Sequence, residues 1–391
     1  MWLLHNLDPA EFIGKYWQKK PCLIRGAFPD CTSPISAEEL AGLACEDGIN
    51  CRLVVERGGQ IPWQVRYGPF KEDDFTSLPA SHYSLLVSEC EKWIPELNEL
   101  LDQFNFIPRW RIDDLMVSYA PEHGSVGAHI DQYDVFLLQV EGQRCWSYDN
   151  SPTENPKLIE GLELAILESF HPEQEAVLQP GDMLYLPPGV AHHGIALEPG
   201  LTYSIGFRAP TVLSALESFV LEIDQDNAAN QRYHDPDLEI GRHAYAITDR
   251  EINRFRELAL NLLEQSSHSW QDAIGKMLTD SSVSLTTSAE APFDASNLLK
   301  DGWIKHPDTR ILFHQAESEI RVYCNGRSHH LPNQTEIIEC LHQLCSQREW
   351  SIELIHDCIA IDSIKKLILA LAAESAIVPR SEFEDSDTTF D

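Results

Sequence analysis

The sequence is poor in positive charge. Lys and Arg number 29 against 62 Asp and Glu in 391 residues, a formal net charge of −33. A nucleic-acid partner gripped through its phosphates needs basic patches, so direct nucleic-acid binding is not expected. A cationic partner is favoured instead. No run approaches the roughly 18 apolar residues of a membrane-spanning helix, so no membrane role is expected. The opening stretch MWLLHNLDPAEF has neither a basic nor an apolar leader segment. The 10 cysteines, at 22, 31, 45, 51, 90, 145, 324, 340, 345 and 358, are scattered and include no C-x-x-C. Reduced core thiols in a cytoplasmic protein are the simplest reading, with zinc at Cys340 and Cys345 as the alternative.

With 43% hydrophobic residues, disorder is excluded and two or three domains fit. Residues 1–208 hold short apolar runs bounded by QPGD, PPG and EPG turns. RLVVE (52–56), YSLLVS (83–88), DLMVSYA (114–120), YDVFLLQV (133–140), DMLYLP (182–187) and TYSIGF (202–207) are expected to be strands of a β-sandwich or barrel. Asp8 and Ser36 are expected to cap helices. Residues 209–285 read as helical: Thr211 caps a stripe at 212, 213, 216, 219, 220 and 223, followed by stripes at 252–262 and 270–278. A Ser/Thr-rich linker (281–292) leads to a third zone, 293–380. There Asn325-Gly326 marks a hairpin and two helical patterns follow, in the manner of a winged helix. The tail, 381–391, is acidic and expected to be disordered.

Two His-x-Asp pairs occur, His129/Asp131 and His306/Asp308. On a strand, residues i and i+2 share a face and can grip one ion. The second pair encloses Pro307, which breaks a ladder, and is expected to be a loop. The first follows a Gly-containing loop and precedes a nearly continuous apolar strand. Sixty-one residues beyond Asp131, a PGD turn, an apolar strand and a PPG turn deliver His192 and His193. If those strands are neighbours in a barrel, His129, Asp131 and one of the late histidines close a 2-His-1-carboxylate set with open positions, the arrangement that suits Fe(II) in oxygenases. Such a site needs a co-substrate to supply electrons for splitting dioxygen. A 2-oxoacid such as 2-oxoglutarate chelates two positions, and its remote carboxylate calls for a fixed cation. Arg144 is the nearest candidate, and Ser118 or Ser204 could add a hydroxyl.

The segments FIGKYWQKKPCLIRGAF (12–28), WRIDDLMVSYAPEHGSVGAHIDQYDVFLLQ (110–139), GDMLYLPPGVAHHGIAL (181–197) and YSIGFRAP (203–210) resemble the JmjC-type, cupin-fold 2-oxoglutarate oxygenases. Among these they are similar to the ribosomal oxygenases, in particular the bacterial arginine hydroxylases of large-subunit ribosomal protein sixteen. The resemblance covers residues 1 to about 225 most strongly. It implies an α+β chain: a double-stranded β-helix barrel, a helical dimerisation region and a small winged helix that does not bind DNA. It further implies an enzyme using Fe(II), 2-oxoglutarate and dioxygen to hydroxylate an arginine of a basic ribosomal protein, acting as a homodimer. His129, Asp131 and His192 match the iron ligands, with His192 preferred over His193 because the motif places its ligand directly before the residue that precedes the glycine, here His193-Gly194. Arg144 and Ser118 match the 2-oxoglutarate contacts. The loop PEHGSVGA departs from the family's glycine-rich pattern and puts His123 near the mouth of the site. Asp113, Asp114 and Asp134 are candidates for pairing with the substrate guanidinium. The competing readings are a histidine hydroxylase of another ribosomal protein and a non-catalytic metal-binding module.

Overall fold

Alternation decides how the apolar runs of the first 208 residues are used. In the computed structural model they become β1 (Cys22–Ile24), β2 (Cys51–Glu56), β3 (Trp63–Tyr67), β4 (Tyr83–Val87), β5 (Ile112–Ala120) and β6 (His129–Ile130). After these come β7 (Asp134–Gln139), β8 (Arg144–Tyr148), β9 (Gln174–Leu178), β10 (Met183–Leu186), β11 (Ala191–Ala196) and β12 (Gly200–Phe207). The structure describes residues 2–57, 63–223, 232–238, 245–280 and 298–381. An eight-stranded sheet has the order β1-β10-β7-β12-β5-β4-β2-β3, and a four-stranded sheet the order β6-β11-β8-β9. All pairings are antiparallel. The two sheets form the walls of the β-helix.

One face of the large sheet packs on α1 (Pro9–Lys15), α2 (Ala37–Leu43), α3 (Glu72–Thr76) and α4 (Leu97–Asp102). Val117, Phe136, Tyr185, Tyr203 and Phe207 meet Phe12, Phe28, Leu40 and Phe104 there. Phe104 lies 4.9 Å from Phe136 by ring centroids. Truncating either ring would cost about 3–5 kcal/mol, because a packed core relaxes poorly around the void. The helices start where expected: Asp8 accepts the amide of Glu11, and Ser36 forms a capping box with Glu39. The other face turns Val135, Leu137, Leu184 and Leu186 toward Trp146, Tyr148 and Leu178 of the small sheet. β7 and β10 are therefore buried on both faces, which is why YDVFLLQV and DMLYLP read as continuous apolar runs rather than alternating ones. This inner face carries the site.

The chain divides into two compact units, Met1–Ala209 and Pro210–Asp391. The second contains α5 (Val212–Ile223), α6 (Asp249–Gln265), α7 (Ser267–Thr279), β13 (Trp303–Lys305), β14 (Ile311–Gln315), β15 (Glu319–Cys324) and β16 (Arg327–Pro332). It continues through α8 (Thr335–Ser346), β17 (Glu349–Trp350), α9 (Ile352–Ile359), α10 (Asp362–Ala373) and β18 (Ile377–Pro379). Asn325 and Gly326 take positive φ in the hairpin between β15 and β16, the conformation an Asn-Gly turn requires. The helical zone and the winged helix share one unit here rather than forming two. The reason is α7, which lies on β15: a Cβ on Gly275 would come within 2.4 Å of the Tyr323 ring, and Tyr323 Oη donates to Asp272 at 3.1 Å. The winged helix has its own core around Trp303, Trp350, Ile337, Leu341 and Ile368. The linker 281–292 and all but the first residue of the 381–391 tail lie outside the described residues.

The apolar stripe of α5 is only half used. Phe219 stacks on Trp270 with centroids 4.3 Å apart, and Ile223 is buried with it. Val212, Leu213, Val220 and Leu221 of the same helix are exposed, Leu221 at 75%, and so are Ile252 and Phe255 of α6.

Candidate metal centre

His129 opens β6, and Asp131 follows directly after that strand. β6 pairs with β11 so that His129 stands opposite His192. The PPG turn closes the arrangement from behind, the Gly189 amide donating to the Asp131 carbonyl at 2.8 Å. One ligand atom from each of His129, Asp131 and His192 lies within 4.8 Å of the other two. Asp131 reaches His129 Nε2 at 3.9 Å and His192 Nε2 at 3.6 Å through different oxygens. Among the described residues no other cluster of three such groups converges.

The two imidazoles are held alike. His129 Nδ1 is 3.0 Å from the Gly127 carbonyl and His192 Nδ1 is 3.0 Å from the Val190 carbonyl. A carbonyl only accepts, so each Nδ1 carries the proton and each Nε2 offers its lone pair toward the shared point. Burial, then the neighbouring His129, brings His192 down to about 4, so it is neutral at physiological pH. Two imidazoles fixed through Nδ1 and one carboxylate fit a divalent iron ion, leaving further positions open.

Arg144, at the start of β8, is 4% exposed. Its Nη2 donates to the Gly194 carbonyl at 3.1 Å, while Nε is buried without an acceptor. Burial alone pushes the guanidinium down to about 10, and among the described residues no carboxylate pairs with it. The guanidinium carbon lies 5.0 Å from the centroid of the Trp146 ring, whose Nε1 is also buried without a partner. Gly194 makes room for both. A Cβ there would lie 2.6 Å from Arg144 Nε and 2.7 Å from the Trp146 ring. A buried cation with idle donors is costly unless an anion joins it. A carboxylate of 2-oxoglutarate fits that need.

Register places the two serines on the inner face. Ser118 stands opposite Thr202, which stands opposite Gln139, and Ser204 stands between Met116 and Leu137. The Ser118 hydroxyl donates to the Thr202 carbonyl at 3.1 Å, and Thr202 Oγ1 donates to Gln139 at 2.9 Å. Gln139, Thr202 and Trp146 escaped the sequence reading, although period-2 counting from Ser204 and Arg144 would have marked Thr202 and Trp146.

The three acids separate clearly. Asp134 is fully buried on the helix-covered face, where it accepts from Tyr185 at 2.6 Å, Gln18 at 2.9 Å and Arg111 at 2.9 Å. That is a structural hub, not a substrate contact. Asp113 is exposed and pairs with Arg208 at 2.8 Å. Asp114 alone turns inward, where the register slips at a bulge between Ile205 and Phe207. A Cβ on Gly206 would lie 3.0 Å from Asp114 Oδ1 and 3.9 Å from the Tyr133 ring, so the carboxyl and that ring flank Gly206. Burial, helped by Asp113 and Glu89, pushes Asp114 up to about 6, with Arg52 opposing. Burial and the Asp131 charge push Tyr133 up in turn.

His193, on β11, contacts Ser125 rather than the cluster, Nε2 to Oγ at 2.9 Å. His123 is exposed on the loop after β5, its ring 5.0 Å from that of His82. His306 and Asp308 lie in a turn, with His306 Nδ1 receiving the Asp308 amide at 3.2 Å.

A double-stranded β-helix with His-x-Asp and a distal histidine on adjacent strands is the architecture of a JmjC-type domain. A JmjC domain model matches residues 99–215 and a ROXA-like winged-helix model residues 261–377. The chain is 35% identical over 287 residues to the ribosomal protein uL16 3-hydroxylase of Escherichia coli, covering 73% of this chain and 75% of that one. It is 31% identical to a probable ribosomal oxygenase of Haemophilus influenzae, covering 83% and 82%. The solved structure of an E. coli ribosomal oxygenase in complex with cobalt and 2-oxoglutarate superposes with a TM-score of 0.82 at 30% identity, over 97% of this chain and all of that one. The chain belongs to the JmjC-domain ribosomal oxygenases.

Proposed function

We propose that the protein is an Fe(II)- and 2-oxoglutarate-dependent oxygenase that hydroxylates an arginine side chain of ribosomal protein uL16. The observation that carries this is the convergence of His129, Asp131 and His192 beside a buried, unpaired Arg144. The relatives named above supply the substrate. Iron(II) with 2-oxoglutarate supplies the activation of dioxygen needed to hydroxylate an unactivated carbon. The chain supplies the rest. His129 and His192 present their Nε2 atoms and Asp131 its carboxylate. Arg144 receives the remote carboxylate of 2-oxoglutarate, with Ser118 and Ser204 on the lining. Asp114 receives the substrate guanidinium, since Asp113 and Asp134 are committed elsewhere. The apolar inner face around Leu137 and Leu184 excludes water from the reacting carbon. A net charge of −33 draws in a basic protein, an attraction that fades as salt shortens the Debye length from about 10 Å at 0.1 M to about 3 Å at 1 M.

The helices of residues 209–285 form the homodimer contact in this reading, a second copy covering the apolar residues left exposed on α5 and α6. The winged helix is not a nucleic-acid reader, given the acidic charge, and the protein works in the cytoplasm. Among the described residues no helix is long and apolar enough to cross a membrane. The test is incubation with Fe(II), 2-oxoglutarate and a uL16 peptide, followed by mass spectrometry. One added oxygen on arginine, coupled to succinate formation, is expected. Oxygen on histidine instead, or no 2-oxoglutarate turnover, would overturn the assignment.

A further inference from the structure

His193 directly follows a cluster residue and is partly buried, yet it does not join the cluster. Its partner, Ser125, is buried in the loop that leads to His129. The hydroxyl has two neighbours: His193 Nε2 at 2.9 Å and the Gly127 amide, which donates to it at 3.1 Å. The same Gly127 presents the carbonyl that accepts from His129 Nδ1 at 3.0 Å. The line therefore runs from the His193 ring through Ser125 and the Gly127 residue to His129. Gly127 holds φ at +84°, and a Cβ there would lie 2.9 Å from Ile166, so only glycine fits the link. A glycine in that region has a soft backbone, and an outside hydrogen bond is needed to fix its carbonyl direction.

We propose that His193 and Ser125 are positioning residues that set the tautomer and aim of His129 through Gly127. The proposal rests on the reading of His129 as a metal ligand. Neither residue touches the metal, and their effect passes through one hydrogen bond to a ligand. Loss of a direct hydrogen-bond partner of a ligand, here the Gly127 carbonyl, typically weakens metal binding by about 10–100-fold, which is the upper bound for Ser125 and His193 behind it.

The test uses the full-length protein with cobalt(II) alone as probe, and needs no turnover. Cobalt affinity and the visible absorption bands are measured for Ser125→Ala, His193→Ala, His193→Gln and the Ser125→Ala/His193→Ala double variant. Histidine ring 15N spectra of the metal-free proteins report the His129 tautomer. Ser125→Ala should weaken cobalt binding by up to about 10-fold, shift the bands and loosen the Nδ1–H tautomer. His193→Ala should do so less, and His193→Gln, which keeps a nitrogen within reach of Ser125, should recover most of the loss. The double variant should match Ser125→Ala alone, because both act along one line. If Ser125→Ala does not fold, Ser125→Cys and the two His193 variants carry the same comparison. Unchanged bands and affinity across the His193 variants, or a glutamine no better than alanine, would overturn the proposal. Wild-type cobalt binding by His129→Ala would instead overturn the ligand reading on which it rests.

Discussion

The two His-x-Asp pairs share a spacing and a similar nitrogen–oxygen distance, and have different fates. His129 Nε2 lies 3.9 Å from Asp131, and His306 Nδ1 lies 3.7 Å from Asp308. The first pair stands at the edge of a sheet where β11 brings His192 into register with His129. The second spans a turn containing Pro307, after β13 has ended. The difference teaches that spacing supplies only two ligands, while a neighbouring strand must supply the third and bury it. A metal site is thus a property of the sheet, not of the tripeptide.

The sharpest test sets the pairs against each other. Alanine at His129, Asp131 or His192 should abolish turnover, exceeding the roughly 10–100-fold loss expected for an outer hydrogen-bond partner. Alanine at His306 or Asp308 should leave kcat and KM within about twofold, since no reacting group is touched. Succinate formation measures both. Comparable losses at the two pairs would erase the distinction.

Next in size is the acid proposed to meet the substrate, Asp114. Asp114→Asn should raise the KM for the arginine peptide by about 10–100-fold, the equivalent of about 1.5–3 kcal/mol for a charge-assisted hydrogen bond, and leave the KM for 2-oxoglutarate unchanged. Burial raises this carboxyl from 3.8 to about 6, so the anion proposed to hold the guanidinium is lost as pH falls through about 6. Peptide KM should climb there. Arg144, pushed only to about 10, stays cationic, so the KM for 2-oxoglutarate should remain flat over that range. The linkage sign is also fixed. Folding bears the cost of burying a charged Asp114 above pH 6, and that cost is relieved as pH falls from about 6 toward 3.8. A peptide KM that ignores pH in this window would remove Asp114 from the site.

Arg144 is the cation counterpart. Replacing it with Met should weaken 2-oxoglutarate binding about 10-fold or more while leaving cobalt affinity near wild type. The same variant should raise the thermal midpoint of the ligand-free protein, by the equivalent of about 1–3 kcal/mol, because a buried charge without a partner is removed. A lower midpoint would mean that the guanidinium is satisfied in the empty protein. The smallest effect on chemistry is expected at the helices. Leu221→Glu with Phe255→Glu should shift sedimentation from dimer to monomer and keep the single-site kinetic constants within severalfold. Unchanged sedimentation would place the contact elsewhere.

Much of the fold was legible because burial leaves a periodic trace. Ser36-x-x-Glu39, the Asn325-Gly326 turn and the six apolar runs mark their elements through local hydrogen bonds and through apolar residues bounded by turn signals. The convergence of His129 and Asp131 with a late histidine was anticipated too, and the buried Arg144 was marked as a fixed cation, since few residue types suit that chemistry. The three acids were not separable. Asp113, Asp114 and Asp134 all sit on or beside strand ends, and only the bulge at Ile205–Phe207 and the Tyr185–Gln18–Arg111 contacts decide which faces inward. The joining of the helical zone to the winged helix was equally hidden. It depends on Gly275 meeting Tyr323, a contact between residues 48 positions apart in the chain.

What the sequence determined by itself was the inventory: two imidazoles and a carboxylate at strand spacing, a lone arginine, an acidic surface, and turns placed to bring strands back. Each follows from chemistry local to a few residues. The tertiary structure shows what each late histidine does, because strand alternation places His192 opposite His129 and hands His193 to Ser125. It also decided that Arg144 has no acidic partner among the described residues, a property set by the low-dielectric wall of Trp146 and Gly194 around it. Burial and pairing are sums over distant segments, and no window of sequence contains them.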